Sequence, residues 1–228
     1  MVLLLLLAMM PASLTSDAGS DLERARDRQD RITLEKLASG RAADAQKKPD
    51  DATVQYRSAV AESFLAEVGQ ELHDKGLATS AAENGIRAAE RAVALNANSA
   101  EYNRILGTLC GQAISSNGLA ALKYGKCALT SVNRALELDP KSADAYLSHG
   151  VGYFYLPPAF GGGVDVAIKD FQKALELNPK SAEAYLWLGV AMRKTNRNAE
   201  ARKALEKALQ LNPNRLWAKQ QLEKIPPQ

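Results

Sequence analysis

Residues 135–151 read ALELDPKSADAYLSHGV, and residues 174–190 read ALELNPKSAEAYLWLGV. Thirteen of the 17 positions are identical, and two of the changes are Asp to Asn and Asp to Glu. A third copy begins at residue 208 as ALQLNPNRLWA, and a weaker one at residue 92 as AVALNANSAEY. Self-similarity at a period of roughly 30–50 residues marks a stacked array, in which each unit buries its apolar face against its neighbours.

Each unit reads as two helices. Pro140, Pro179 and Pro213 end one helix, because proline lacks the amide donor and disfavours helical geometry at the residue before it. Ser142 and Ser181 are placed to cap the next helix, with Asp144 and Glu183 in its first turn, where negative charge suits the helix dipole. Ala128, Ala167 and Ala201 each lie twelve residues before a terminating proline, and Ala135, Ala174 and Ala208 each lie five before it. Gly107, Gly150 and Gly189 recur on the first helix. Small residues at fixed places let helix backbones approach closely.

This pattern resembles the tetratricopeptide repeat. The last copy carries it as Tyr185, Leu188-Gly189, Met192, Ala201, Leu205, Ala208 and Pro213; the preceding copy as Tyr146, Gly150, Tyr153, Ala167, Phe171, Ala174 and Pro179. Upstream, Ala97 stands for the proline and Gly85 for the small alanine. The resemblance implies an all-α fold: a right-handed α-solenoid of stacked antiparallel helix pairs, of a bacterial extracytoplasmic type. The expected organisation is a leader over 1–18, a helical segment and linker over 19–51, and a divergent pair over 52–99. Repeats follow over 100–142, 143–181 and 182–213, with a capping helix and tail over 214–228. From the glycine to the alanine inside a unit the spacing is 12 residues in the last copy, 17 in the one before and 21 before that. The extra residues therefore fall between the two helices of a unit. They predict a long insertion in 100–142, a Pro/Gly-rich one in 143–181, and one elongated stack without a single round core.

The composition agrees with a globular chain. Of 228 residues, 46% are hydrophobic and 24% charged, with a net charge of +3, which excludes a disordered, a collagen-like or a multi-span membrane protein. Residues 2–10, VLLLLLAMM, are too short to span a bilayer, which takes about 20 apolar residues. They read as the apolar core of a secretory signal, with cleavage after Ala18. The expected location is secreted or periplasmic; the alternative is membrane association through an uncleaved N-terminus. Two cysteines cannot build a disulfide-dense scaffold. Cys110 and Cys127 fall on helix faces that pack together, so a disulfide after export stays open, with two partly buried free thiols as the default.

Little points to chemistry. His73 and His149 are isolated, with no HExxH zinc site and no catalytic triad around them. There is no phosphate-binding loop or dinucleotide fingerprint. Gly161-Gly162-Gly163 precedes a helix, but no strand precedes it and no Lys-Ser/Thr pair follows; it reads as a turn. No cofactor, metal or catalytic residue is expected, and the chain reads as a non-enzyme.

What remains is binding. In tetratricopeptide arrays the first helices line a concave groove that takes an extended peptide or a partner helix. Carried onto this chain by the resemblance, that groove holds Glu101, Arg104, Thr108, Asp144, Leu147, Val151, Phe154, Tyr155, Glu183, Leu186, Val190, Arg193 and Lys194. The family's clamp for carboxylate tails needs Lys, Asn and Arg at places that hold Ile105, Ser148 and Trp187 here. Pro157 and Pro158 stiffen the inserted loop, and Phe160 is expected to pack back on the repeat rather than meet a partner. Phe154 and Tyr155 either face the groove or contact this loop. Residues 193–228 carry nine Lys/Arg against three Asp/Glu, so one end suits an acidic partner. The expected function is a scaffold or adaptor for another protein or peptide. The alternative is a solute-binding accessory of a transporter, because the loop also resembles those of the T components of TRAP-type transporters. Nucleic acid is not expected, membrane contact without spanning stays open, and the oligomeric state is not read.

Overall fold

The structure is a computed structural model that describes residues 17–116 and 120–226. Residues 1–16, which hold most of the leader expected over 1–18, and the last two residues lie outside it.

Eleven α-helices follow one another among the described residues, with no strand. They are α1 (Asp17–Asp27), α2 (Arg31–Lys47), α3 (Ala52–Glu71), α4 (Lys75–Leu95), α5 (Ala100–Ser116), α6 (Ala121–Leu138), α7 (Ala143–Tyr155), α8 (Val164–Leu177), α9 (Ala182–Lys194), α10 (Asn198–Leu211) and α11 (Leu216–Glu223). Side-chain oxygens set their starts. Asp30, Asp51 and Asp74 accept first-turn amides of α2, α3 and α4, and Ser142 and Ser181 do so for α7 and α9. Each such cap contributes about 1 kcal/mol.

Helices α3/α4, α5/α6, α7/α8 and α9/α10 form four pairs, and the first helices α3, α5, α7 and α9 stack on one another. The recurring glycines lie at the pair contacts. A Cβ on Gly107 would come within 2.4 Å of Val132 Cγ2 and 2.9 Å of its backbone nitrogen. On Gly150 it would lie 2.6 Å from the Phe171 ring, and on Gly189 2.6 Å from Leu205 Cγ. Ala128 is partly buried, and Ala135, Ala167, Ala174, Ala201 and Ala208 are buried in the same packing.

The extra residues of the early units are helix rather than loop. Pair α3/α4 has 20 and 21 residues, α5/α6 has 17 and 18, and the last two pairs have 13 and 14 each. The long insertion expected in 100–142 is therefore mostly added helical turns. Among the described residues, α7/α8 is joined by a shaped loop. It contains a 3-10 turn at Pro158–Phe160 and two glycines, Gly161 and Gly163, at φ +84° and +116°. Phe160 does not pack back as expected; it is 75% exposed. A 3-10 turn pinned by Pro157 and Pro158 holds it away from the pair.

Cys110 of α5 and Cys127 of α6 form a disulfide, with Cα atoms 6.0 Å apart. This replaces the default of two free thiols. The antiparallel pair brings the two residues to the same level, within the Cα separation that a disulfide bridges.

Two apolar clusters fill the interior. One runs from Leu22 and Leu34 through Leu65 and Leu109 to Tyr124; the other takes Phe154, Phe171, Leu186, Leu205 and Ile225. The described chain departs from the expected elongated stack in one respect: its first and last units touch.

Candidate binding cleft between the first and last units

The contact is made by buried charge. Arg215, at the start of α11, is 1% exposed. Its Nε donates to Glu183 Oε1 of α9 at 2.8 Å, its Nη2 to Glu67 Oε1 at 2.6 Å, and its Nη1 and Nη2 to Glu71 of α3 at 3.1 and 2.5 Å. Arg26 of α1 adds a second guanidinium, 2.7 Å from Asp27 and 3.3 Å from Glu183, and lies 5.0 Å above the Phe64 ring. Asp27 accepts from Asn212, and Gln29 hydrogen bonds to Gln220. Residues about 150–190 apart in sequence thus close the array from α1 and α3 to α9 and α11.

Four carboxylates, Asp27, Glu67, Glu71 and Glu183, face two guanidinium groups, so the cluster carries an excess of negative charge. Burial pushes Glu67 up to about 7 against the pull of Arg215 and Arg26. Burial also raises Glu71. For Glu183, burial is outweighed by Arg215 and Arg26, and its pKa is lowered. For Arg215, desolvation opposes the charge, but Glu183, Glu67 and Glu71 hold it well above its ordinary value.

Beside this cluster lies a cleft of about 380 Å³. Its walls come from the end of α3 and the α3–α4 turn, and from the ends of α7, α9 and α11. Phe154, Tyr155, Trp187 and Trp217 supply aromatic surface, with Trp187 5.1 Å from Trp217 and 5.8 Å from Phe154 between ring centroids. Val190, Arg193 and Gln221 line it as well, as do Glu67, Glu71, His73, Lys75 and Lys224. His73 sits in the α3–α4 turn at φ +60°.

The expected groove residues divide among several settings. Phe154, Tyr155, Val190 and Arg193 line the cleft, and Lys194 Nζ lies 4.4 Å over the Phe154 ring. Phe154 is buried against Trp187 and Lys194. Leu186 is fully buried and has no face to offer a partner; Leu147 and Val151 pack partly buried against the same apolar cluster. Arg104 is tied to Glu101, which also accepts from Tyr56, and reaches Ser148, to which Thr108 donates. Glu183 belongs to the buried ion cluster, and Asp144 is exposed. His149 is held by Asp170 at 2.8 Å, and its ring lies tilted 4.3 Å from that of Tyr153. The residues that sequence reasoning missed are Glu67, Glu71, Arg215 and Gln221, none of which has a local signature. Trp187 and Trp217 carry a weak one, being the two tryptophans of a chain with few aromatic residues. Among the described residues no group of three or more His, Cys, Asp or Glu is placed to hold a metal ion.

Residues 160–215 match the family model of the tetratricopeptide repeat. None of the curated proteins matches the chain. Among solved structures, a thermophilic TPR protein of Thermus thermophilus is 18% identical, with 91% of this chain and 98% of that one covered and a TM-score of 0.62. That likeness shows the fold. The crystal structure of MamA is 20% identical over 83% of this chain and 94% of that one, at a TM-score of 0.45. YrrB, a TPR protein with an unusual peptide-binding site, is 20% identical over 90% and 84%, at 0.44.

Proposed function

We propose that this tetratricopeptide-repeat protein is a non-enzymatic scaffold that holds a protein or peptide partner outside the cytoplasm. The observation that carries the reading is an aromatic edge left in solvent beside a preformed cleft. Tyr155 is 51% and Phe160 75% exposed, five residues apart at the end of α7 and in the loop that follows. Large apolar side chains exposed next to a concavity mark contact surfaces. The basic last unit steers a partner that is acidic at one end.

Two features support an exported location: the apolar run at residues 2–10 and the Cys110–Cys127 bond, which persists in oxidising compartments. Among the described residues no helix is long and apolar enough to cross a membrane. A second reading, a solute-holding accessory of a transporter, is supported by the cleft itself, whose volume falls in the roughly 300–1,000 Å³ range of ligand pockets.

Crosslinked capture from cell-envelope extract tests the first reading. The wild-type chain is expected to retain a partner that Tyr155→Ser/Phe160→Ser loses without a change in unfolding midpoint. Equal capture by both chains would remove this edge from the interface. N-terminal sequencing of the envelope fraction is expected to begin at Gly19; an intact Met1 in cytosolic protein would end the export reading.

A further inference from the structure

We propose that the cleft between the first and last units binds a small carboxylate with an apolar body, its head on the Arg193 guanidinium and its body among Trp187, Trp217, Phe154 and Tyr155. This rests on the second reading above and names the solute class.

The argument begins with Arg193. The other arginines that this side of the array buries are matched: Arg26 to Asp27 and Glu183, Arg104 to Glu101, and Arg215 to Glu67, Glu71 and Glu183. Arg193 is partly buried on the cleft wall, and its one protein acceptor among the described residues is Gln221 Oε1, at 3.0 Å. Its Nε is shut off from solvent and has no acceptor. A half-buried guanidinium with one neutral acceptor is an anomaly in a structure that pairs its neighbours so fully. A planar carboxylate is the acceptor that its fork fits best.

The surroundings set the rest of the ligand. The carboxylates that line the cleft, Glu67 and Glu71, are turned onto Arg215. Outside that ion cluster the charges on the walls are positive: Arg193, with Lys75 and Lys224, for which no ion pair is formed among the described residues. A cationic ligand is disfavoured twice. It would face these groups, and the rings it would stack on are already covered, Phe154 by Lys194 at 4.4 Å and Trp217 by Arg215 at 5.7 Å. Four aromatic walls and Val190 call for an apolar body. A cleft of about 380 Å³ lies at the small end of ligand pockets, so the ligand is a free acid rather than a length of chain.

Both tryptophans of the chain line the cleft, so their fluorescence, excited at the red edge, reports on it alone. The full chain is titrated with phenylacetate and hexanoate, and with phenylacetamide and phenethylamine as neutral and cationic counterparts. A ligand of this size is expected to saturate at roughly millimolar concentration or below. The acids should bind at least tenfold more tightly than the amide or the amine. Arg193→Gln should weaken the acids at least tenfold and leave the amide unchanged, with Arg193→Lys recovering part of the loss. Lys219→Gln, an exposed change on α11, should leave the acids unchanged, and far-UV circular dichroism checks that each variant is folded. Equal binding of acid and amine, or no effect of Arg193→Gln, would overturn the carboxylate assignment. Silence of both acids up to about 10 mM, by fluorescence and by equilibrium dialysis, would overturn the site. A peptide that ends in a free apolar carboxylate and saturates where the free acids are silent would overturn the small ligand and leave the scaffold reading standing. Acids that bind while the Tyr155/Phe160 variant still captures its partner would sink the scaffold edge alone.

Discussion

Replacing Arg215 with alanine should open the contact between the first and last units. The residue is 1% exposed and gives four hydrogen bonds to three glutamates between 2.5 and 3.1 Å. Removing it leaves Glu67, Glu71, Glu183 and Asp27 around Arg26 as their one remaining guanidinium. Breaking a buried ion pair from one side costs roughly 3–5 kcal/mol, because the surviving charges stay buried without a partner. An exposed pair such as Lys173–Glu176 contributes at most about 1 kcal/mol. With a urea slope near 2 kcal/mol/M, the expected fall in midpoint at pH 7 is about 1.5–2.5 M. Trp217 lies two residues from the change, so its fluorescence should move before the far-UV signal, whose helices belong to pairs that remain packed. The pH dependence fixes the cause. Carboxylates deprived of their cation have raised pKa values, so the variant should recover stability as pH falls from 7 toward 5. Arg215→Lys keeps the charge but loses the fork, and should fall between wild type and Arg215→Ala. A midpoint shift below about 0.3 M, or a variant that loses more stability at pH 5 than at pH 7, would refute this account of the closure.

Three further outcomes are expected. Glu62 of α3 is buried, its Oε2 has no partner, and burial lifts its pKa to about 7 against the pull of Arg87. It therefore favours the fold below about pH 4.5 and loses that contribution as pH rises through 7, so Glu62→Gln should raise stability at pH 8 by roughly 1–3 kcal/mol after discounting for residual solvent screening; equal urea midpoints of both chains at pH 8 would exclude this. Gly107→Ala should destabilise by about 1–3 kcal/mol, since the backbone nitrogen of Val132 blocks the new Cβ, whereas Gly111→Ala on the same helix meets nothing within 4 Å and should stabilise by about 0.5–1 kcal/mol; thermal melts that rank the two the other way would count against the packing described. Reducing the Cys110–Cys127 bond, which closes a 17-residue span, should cost about 2–4 kcal/mol, and an unchanged melt of the Cys110→Ser/Cys127→Ser chain would show that α5 and α6 hold without it.

The repeats were legible because they are local. Each of the last two pairs is specified within some 40 residues by a proline, a capping serine and small residues at the crossing, and those signals recur at matching places in the two copies. Counting residues between Gly107 and Ala128 also located the extra length, but a count carries no conformation, and so added helical turns read as an insertion. Phe160 was misread for a related reason: apolar character predicts burial on average, while its exposure follows from where a Pro-stiffened turn points. The groove lost Leu186 because a helix of 13 residues packed on two neighbours turns more of its surface inward than a repeat pattern suggests. Glu67 and Arg215 stand 148 residues apart, and each looks like an ordinary solvated charge in its own context. Nothing local tells that they meet.

The closure and the cleft are not independent. Glu67 and Glu71 face Arg215 on one side and line the cleft on the other. Trp217 and Gln221 stand opposite the α3 wall of the cleft because Arg215, at the head of α11, is tied to Glu67 and Glu71. A chain that opens at Arg215 therefore loses a wall of the cleft even though every other lining residue is unchanged. It follows that Arg215→Ala, which removes no group assigned to the ligand, should weaken phenylacetate as Arg193→Gln does, but should weaken phenylacetamide too, since it removes a wall as well as freeing Glu67 and Glu71 from their cation. Arg193→Gln spares the amide; Arg215→Ala does not. That contrast distinguishes a residue that contacts the ligand from one that holds the site together.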